Sequence, residues 1–484
     1  MAYGLVFFSS TGLAADAQKT FSRSLAHYTM GLVYDTETKI DEATREYSKA
    51  LEYGYGQPHV HLRLGIDYLI LGEYQKAMEA FKNAKRFDLE DTRPRFLLAL
   101  LYAGSRKFEE AQKEYEDIIK LDPQSLQALS SLADLYAVRQ RLKEAASIYE
   151  ELLKQNKDKK QEAMLHFNLG LIYAKMERVD DAIPHLEKSI KLEPGYLQAY
   201  LALGVLYETK KKINEAIEKY KDLLGKDPKN KEARRFLGRL YLGQRKPREA
   251  IEQFEAVVRV APLDIDGYVD LAAAYLDIGK IGDARRVLAD AKKLGKPNAQ
   301  VYLIEGLICS EEKKYSEALE AYKRALASEP DNAKINFYTA VVYDKLGKKK
   351  DAAVYLKKTI ALDGKDAEAY NYLGYMYVED GTNLDEAIGL IKKAVELEPE
   401  NGAFIDSLGW AYFKRNWLEQ AAARIEEAVK FEPDDPTIHD HLGDVYFKQG
   451  LPDKALAEWR KSLELDPKQE KIKEKINSYE KTGN

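Results

Sequence analysis

Small and apolar residues recur along most of this chain with a period of 34 residues. An alanine marks each copy, at Ala43, Ala77, Ala111, Ala145, Ala182, Ala216, Ala250, Ala284, Ala318, Ala352, Ala387, Ala421 and Ala455. Every step between these alanines is 34 residues long except two, which carry three extra residues before Ala182 and one before Ala387. A period of this length predicts a helix–turn–helix unit that buries its apolar face only by stacking on copies of itself.

Four more positions are fixed within each copy when the alanine is numbered 20. A small residue stands at position 8, a tyrosine at 11, a bulky apolar residue at 24 and often a proline at 32. One copy shows them as Gly204, Tyr207, Tyr220 and Pro228. Positions 8 and 11 share a face of the first helix and positions 20 and 24 a face of the second. We therefore predict that the small residues allow close helix packing and that the proline ends the unit.

These units divide the chain into three parts. We predict that residues 1–23 form a signal or tail segment and that residues 24–469 form thirteen repeats, with a slight break near 156–162. Residues 470–484 are strongly charged and are expected to form a cap helix and a short tail, because a terminal repeat needs a polar outer face. The predicted fold class is all-α, an α-solenoid without a separate catalytic domain.

Small at 8, tyrosine at 11, alanine at 20, bulky at 24 and proline at 32 resembles the tetratricopeptide repeat, TPR. The segments "YNYLGYMYVEDGTNLDEA" and "DSLGWAYFKRNWLEQA" are similar to the last repeats of bacterial TPR proteins, many of them sent to the cell envelope. The resemblance implies a right-handed superhelix whose concave groove is lined by the first helix of each repeat. It also implies that positions 2, 5, 9, 12 and 13 face this groove and bind other proteins.

Groove positions in the last three repeats carry the aromatic and polar mixture that is typical of interaction hot spots. We predict a partner-binding site there, formed by Asn371, Tyr375, Asp406, Trp410, Phe413, Lys414 and Asp440. The alternative is that these side chains serve stacking between repeats.

Two further stretches of the groove are secondary candidates. In the first three repeats the groove positions form an apolar strip of Tyr28, Leu32, Leu62, Ile66, Leu69, Phe96 and Leu100, which either a partner or the N-terminal tail would cover. In the seventh repeat Arg235 and Arg239 lie one helical turn apart and could hold a carboxylate, or they could be neutralised by neighbouring Glu side chains.

Composition and motifs do not favour an enzyme or a nucleic-acid binder. The 484 residues carry a net charge of −5, and no basic stretch stands out as nucleic acid would require. The sequence has no His-Glu-x-x-His, Gly-x-Ser-x-Gly or phosphate-loop motif. His439 falls on a packing position, so we predict no metal and no cofactor. Cys309 replaces the tyrosine of position 11, and we expect it to be buried and inert.

The N-terminus suggests export, although the signature is partial. The apolar run Leu5–Phe8 precedes Ala15-Asp16-Ala17, which resembles a signal-peptide cleavage site, but no positive charge stands before Lys19. We therefore predict a non-enzymatic protein-binding scaffold of the bacterial periplasm or envelope, acting in assembly or secretion. A cytoplasmic adaptor for multiprotein assembly is the alternative, and an accessory subunit of an envelope enzyme complex is a more distant one. No integral membrane span is expected, and the oligomeric state is left open.

Overall fold

The computed structural model describes residues 10–54, 57–155, 158–295 and 297–482. Regular secondary structure in these ranges consists of α-helices, with no strand. Within the described ranges, thirteen helix pairs follow one another and a single helix comes after the last pair, which confirms the predicted all-α solenoid of thirteen repeats with a cap helix.

The first helix of each repeat is called helix A and the second helix B. The A helices are α1 Ser10–Thr36, α3 Pro58–Ile70, α5 Thr92–Gly104, α7 Leu126–Val138, α9 Lys159–Lys175, α11 Leu197–Thr209, α13 Lys231–Gly243, α15 Ile265–Asp277, α17 Ala299–Glu311, α19 Ala333–Lys345, α21 Ala367–Asp380, α23 Gly402–Lys414 and α25 Pro436–Lys448. The B helices are α2 Ile40–Glu52, α4 Tyr74–Phe87, α6 Phe108–Leu121, α8 Leu142–Gln155, α10 Val179–Leu192, α12 Ile213–Lys226, α14 Pro247–Val260, α16 Ile281–Lys293, α18 Tyr315–Ser328, α20 Lys349–Leu362, α22 Leu384–Leu397, α24 Leu418–Phe431 and α26 Pro452–Leu465. The cap helix is α27 Glu470–Thr482.

Within a repeat, the small residue at position 8 receives the bulky side chain of position 24. A Cβ atom added to Gly204 would lie 2.4 Å from Cε1 of Tyr220, and one added to Gly306 would lie 2.2 Å from Cε1 of Tyr322. Both tyrosines are completely buried. The predicted close packing of helices A and B is therefore confirmed, and the contact joins positions 8 and 24.

The turn between helices A and B is closed by one residue in the left-handed region. Gly279 has φ 70°, and the N–H of Lys280 donates to the carbonyl of Tyr275 at 2.8 Å. Gly347 and Lys348 repeat the arrangement with φ 73°. Helix A ends at each of these Gly-Lys pairs, and their glycines supply the positive φ at little steric cost.

The tyrosine of position 11 also connects neighbouring repeats, through position 25 of helix B in the preceding repeat. At four of the glutamates of position 25, the phenol donates to the carboxylate: Tyr173 to Glu150, Tyr207 to Glu187, Tyr275 to Glu255 and Tyr446 to Glu426, at 2.5 to 2.9 Å. In other repeats position 25 is a lysine whose ammonium group lies over the ring, as for Lys82 and Tyr102 or Lys392 and Tyr412. Cys309 faces neither partner type, because position 25 before it is Ala289.

The chain divides into two compact units, Met1–Ala233 and Arg234–Asn484, and the division falls inside α13. In the first unit, the three-residue insertion lengthens the start of α9, which has 17 residues. Asp158 caps this helix by accepting from the N–H of Gln161 at 2.8 Å. Helices α8 and α9 pack together, so stacking continues across the insertion. Residues 1–9, with the apolar run of the predicted signal segment, lie outside the described residues.

Candidate functional site

In the second unit, a cavity of about 570 Å³ lies along the A helices of the last four repeats. Its walls come from α19, α21, α23 and α25, and from Lys349 at the start of α20. The predicted residues Asn371, Tyr375 and Asp406 all contribute to its lining. Successive A helices place their groove positions next to one another, which is why residues about 35 apart in sequence meet here. The volume lies within the range typical of ligand pockets.

A buried ion pair stands at the centre of the lining. Nδ1 of His441 lies 2.8 Å from Oδ2 of Asp406, and the two residues are 7% and 5% exposed. Burial raises the pKa of the Asp406 carboxyl above its usual range, against the opposing effect of His441. Burial would lower the pKa of His441, but the Asp406 carboxylate outweighs it and the imidazole pKa is raised. The pair is thus held at the cost of desolvating both groups.

The remaining oxygen of Asp406 is left without a donor. Oδ1 of Asp406 and Oδ1 of Asn371 are both buried, and neither has a hydrogen-bond partner in the described parts of the chain. Most buried polar atoms in proteins are hydrogen-bonded, and a buried acceptor without a donor costs about 1–3 kcal/mol. Both oxygens belong to residues that line the cavity.

Other acidic side chains of the cavity are engaged by protein donors. Asp344 accepts from the hydroxyl of Tyr372 at 2.9 Å, and Glu379 accepts from Nε1 of Trp410 at 2.8 Å. Asp435 caps α25 by accepting from the N–H of Thr437 at 2.7 Å. Asp406 therefore differs from its acidic neighbours in having a buried oxygen that no donor among the described residues reaches.

Two tyrosines form an aromatic wall beside these acids. Tyr375 is half-buried, and burial together with the carboxylates of Glu379 and Asp406 raises its pKa to about 12. Burial and the hydrogen bond to Asp344 likewise raise the pKa of Tyr372. Both phenols are accordingly neutral at physiological pH and present polarisable rings to the cavity.

The structure places Trp410, Phe413 and Lys414 outside the lining. Trp410 is 8% exposed, and its ring stacks on His441 with 4.0 Å and on Phe413 with 4.7 Å between centroids. The Lys414 ammonium lies 4.8 Å from the centre of the Trp410 ring. Trp410 thus supports the site through His441 and Glu379 instead of presenting an open aromatic surface.

Asp440 also lies apart from the cavity. Its Oδ1 accepts from Nζ of Lys475 in the cap helix at 2.6 Å. The same lysine bonds Asp444 at 2.6 Å. Asp440 therefore belongs to the attachment of α27 to the last repeat.

Several residues of the apolar strip in the first unit take part in packing between repeats. Leu62 is 7% exposed and belongs to the core, and Tyr28, Leu32 and Leu69 pack on core residues. Ile66 and Phe96 line a second cavity of about 450 Å³ with Leu62, and Leu100 is 46% exposed.

The two predicted arginines of the seventh repeat have acidic partners in the next repeat. Nε of Arg235 lies 2.7 Å from Oδ2 of Asp270, and Nη2 of Arg239 lies 3.1 Å from Oδ1 of the same residue. Arg235 also approaches Asp266 at 3.4 Å. Neutralisation by neighbouring Glu was the alternative to a carboxylate clamp; the observed partners are aspartates of α15 instead of glutamates.

His441, Tyr372 and Glu379 line the cavity and were not predicted from the sequence. A usable signal exists, because position 5 of one A helix meets position 6 of the next, 35 residues later. This spacing joins Asp406 to His441, Arg235 to Asp270 and Asp440 to Lys475. Complementary charges at this spacing would have identified His441 as the partner of Asp406.

Three further features of the described residues concern metal ligands, the single thiol and long apolar helices. Among the described residues, no group of three or more His, Cys, Asp or Glu side chains is arranged to hold a metal ion. Cys309 is buried, as predicted, and burial raises the pKa of its thiol, which disfavours the reactive thiolate. No described helix combines the length and apolar character that a membrane span requires.

Stacked two-helix units with a lined groove define a helical-repeat protein. Family models described as tetratricopeptide repeat or TPR repeat match residues 96–160, 167–231, 209–266, 269–333, 310–373, 409–450 and 436–469. The chain belongs to the tetratricopeptide repeat family.

Relatives share parts of this chain. TPR repeat-containing protein PA4667 of Pseudomonas aeruginosa is 28% identical over 141 residues, which are 29% of this chain and 24% of that protein. Tetratricopeptide repeat protein 37 of Xenopus laevis is 30% identical over 134 residues, 27% of this chain and 9% of that protein. The chain thus spans about a quarter or less of the length of these relatives.

A solved structure is similar over nearly the whole chain. The crystal structure of the APC/C hetero-tetramer Cut9-Hcn1 contains a chain with a TM-score of 0.52 and 16% identity. The match covers 97% of this chain and 99% of that one. At this identity the likeness shows the fold.

Proposed function

We propose that this protein is a non-enzymatic scaffold that binds segments of other proteins in the groove of its C-terminal repeats. The observation that carries the proposal is the cavity on the A helices of repeats 10 to 13, with a tyrosine wall and unsatisfied buried acceptors. Such acceptors are costly in the free protein and favour binding of a complementary donor. Membership of the tetratricopeptide repeat family supports a role in protein interaction.

The bound segment is an extended or helical stretch of a partner that follows the A helices. Tyr375 provides an aromatic contact, and the acids beside it fix the orientation of the segment. The partner is held by equilibrium binding, and its release needs no chemical step.

We place this scaffold in the bacterial envelope, where it would serve assembly or secretion. The Ala15-Asp16-Ala17 pattern after an apolar run and the similarity of the last repeats to envelope TPR proteins support this setting. A cytoplasmic assembly adaptor is the alternative for which the same groove would serve.

The test compares capture of partners by variants of the purified protein. Tyr375→Ala removes the aromatic wall, and Val354→Ala, at a 65% exposed position of α20, is the matched control. We expect proteins from an extract of the source cells to be retained by wild type and Val354→Ala and lost from Tyr375→Ala, with unchanged helical circular dichroism. Equal retention by all three proteins would refute the C-terminal site. Trp410→Ala is unsuitable here, because removing a buried ring destabilises the fold.

A further inference from the structure

The C-terminal cavity contains a buried acidic oxygen that nothing in the described chain satisfies. Asp406 is 5% exposed, and its Oδ2 is taken by Nδ1 of His441 at 2.8 Å. Its Oδ1 has no donor within the described ranges. One oxygen of this carboxylate is therefore paired, and the other is buried at the cavity lining without a donor among the described residues.

A second buried acceptor without a donor among the described residues belongs to the same cavity lining. Oδ1 of Asn371, one repeat earlier and also at position 5, is buried and lacks a donor among the residues described. Both residues line the same cavity with Tyr372 and Tyr375. The site consists of two acceptors beside two phenol rings.

The lining of the cavity carries more acidic than basic side chains. Asp344, Glu379, Asp406 and Asp435 contribute four carboxylates, while Lys345 and Lys349 contribute two ammonium groups. Lys349 bonds to the carboxylate of Asp380, which reduces its effect on the cavity. His441 adds positive charge on the side of Asp406 that it already occupies. The open side of Asp406 thus favours a cationic donor.

Resting on the proposed function, we propose that this cavity is a specificity pocket for an arginine side chain of the bound partner segment. A guanidinium carries five N–H donors in a rigid plane, so it can donate to Oδ1 of Asp406 and Oδ1 of Asn371 together. Its flat face stacks on tyrosine rings, and it is less strongly hydrated than an ammonium group. Arginine therefore fits this pocket better than lysine.

Binding of a guanidinium in this pocket also offsets the desolvation free energy of the buried Asp406 carboxylate. Burial raises the pKa of Asp406, so the carboxylate is poorly stabilised without a partner on its open side. A guanidinium supplies the missing charge-assisted hydrogen bond, whose loss weakens binding by roughly ten- to a hundredfold.

The experiment selects displayed random twelve-residue peptides on the wild-type protein and measures the affinity of the enriched sequences. We expect enriched peptides to contain an arginine whose replacement by citrulline, a neutral group of nearly the same shape, weakens binding about ten- to a hundredfold. Replacement by lysine should weaken binding less than citrulline does. Because this arm varies only the peptide, it does not depend on any variant folding.

Two protein variants complete the test. Asp406→Asn keeps the size of the side chain and removes its charge, while Asp440→Asn does the same at position 5 of the next repeat, outside the cavity. Asp406→Asn should weaken the arginine peptide about tenfold or more and abolish its preference over the citrulline peptide. Asp440→Asn should change neither affinity by more than about twofold, since its carboxylate pairs with Lys475.

The outcomes separate this inference from the proposed function. Peptides that lose affinity with Tyr375→Ala but bind equally well with citrulline would overturn the arginine pocket and leave the scaffold function standing. Selection that yields no peptide sensitive to Tyr375→Ala would overturn both. Loss of affinity with citrulline, matched by Asp406→Asn and absent in Asp440→Asn, would establish the pocket.

Discussion

Replacing Gly306 by alanine places a methyl group where the ring of Tyr322 already lies. The added Cβ would be 2.2 Å from Cε1 and 2.5 Å from Cδ1 of this tyrosine, which is fully buried. Overpacking of this kind costs about 1–3 kcal/mol. Alanine gains about 0.5–1 kcal/mol over glycine inside a helix, so the net loss of stability is about 0–2.5 kcal/mol.

A matched control isolates the contact from helix propensity. Gly389 lies inside α22, and a Cβ added there would meet nothing within 4 Å. Gly389→Ala should therefore stabilise its helix by about 0.5–1 kcal/mol. The two substitutions are chemically identical, so the difference between them, about 1–3 kcal/mol, reports the contact of positions 8 and 24.

The assay has to be local, because stacked repeats are coupled mainly to their neighbours. Native-state hydrogen exchange followed by mass spectrometry would compare the amide protection of α17 and α18 with that of α22. We expect faster exchange in α17 and α18 for Gly306→Ala and slower exchange in α22 for Gly389→Ala. Equal or increased protection in α17 and α18 would refute the packing argument.

Three further predictions concern pH, packing and location. Burial and the nearby Asp35 raise the pKa of Asp67 to about 7. Between about pH 4 and pH 7 the folded state therefore keeps a proton that the unfolded state has released. The first repeats should lose stability as the pH rises through this range. Asp67→Asn should flatten this dependence in urea unfolding at pH 5 and pH 7.5, and an unchanged pH dependence would contradict it. Ala250→Leu should cost about 1–3 kcal/mol at a fully buried position, and a melting curve identical to wild type would contradict the assigned repeat register. Fractionation of native cells with intact-mass analysis should find an envelope or periplasmic species that begins near Gln18, whereas a full-length cytoplasmic species would favour the adaptor.

Much of the fold could be predicted because one repeated pattern encodes it. The spacing of Gly204, Tyr207, Ala216 and Tyr220 is sufficient to place two helices and their contact. The sequence did not predict that the phenol of Tyr207 donates to Glu187. The spacing of residues within one repeat does not identify which positions contact each other between repeats.

The candidate site was predictable only in part for the same reason. Asn371, Tyr375 and Asp406 were identified from their groove register, and all three line the cavity. Trp410 shares that register but is buried by His441, since the exposure of a groove position depends on the size of its neighbours in the adjoining repeat. The burial of Asp406, and the lack of a donor for its Oδ1 in the described part of the chain, depend on three-dimensional packing that no spacing in the sequence reveals.

The bond between position 11 and position 25 bears on how an array of this length can grow. Most repeats carry a tyrosine that contacts position 25 of the preceding repeat and a position-25 side chain that contacts the following repeat. A duplicated repeat of this kind therefore contains both partners of the contact. The hydrogen bond from Tyr173 to Glu150 forms although three residues are inserted between the two repeats, so this contact tolerates changes in linker length. Where Cys309 replaces the phenol, the opposite position is Ala289, so both partners of the contact are missing together. Gene duplication could therefore lengthen or shorten such a protein by whole units without any new interface having to evolve.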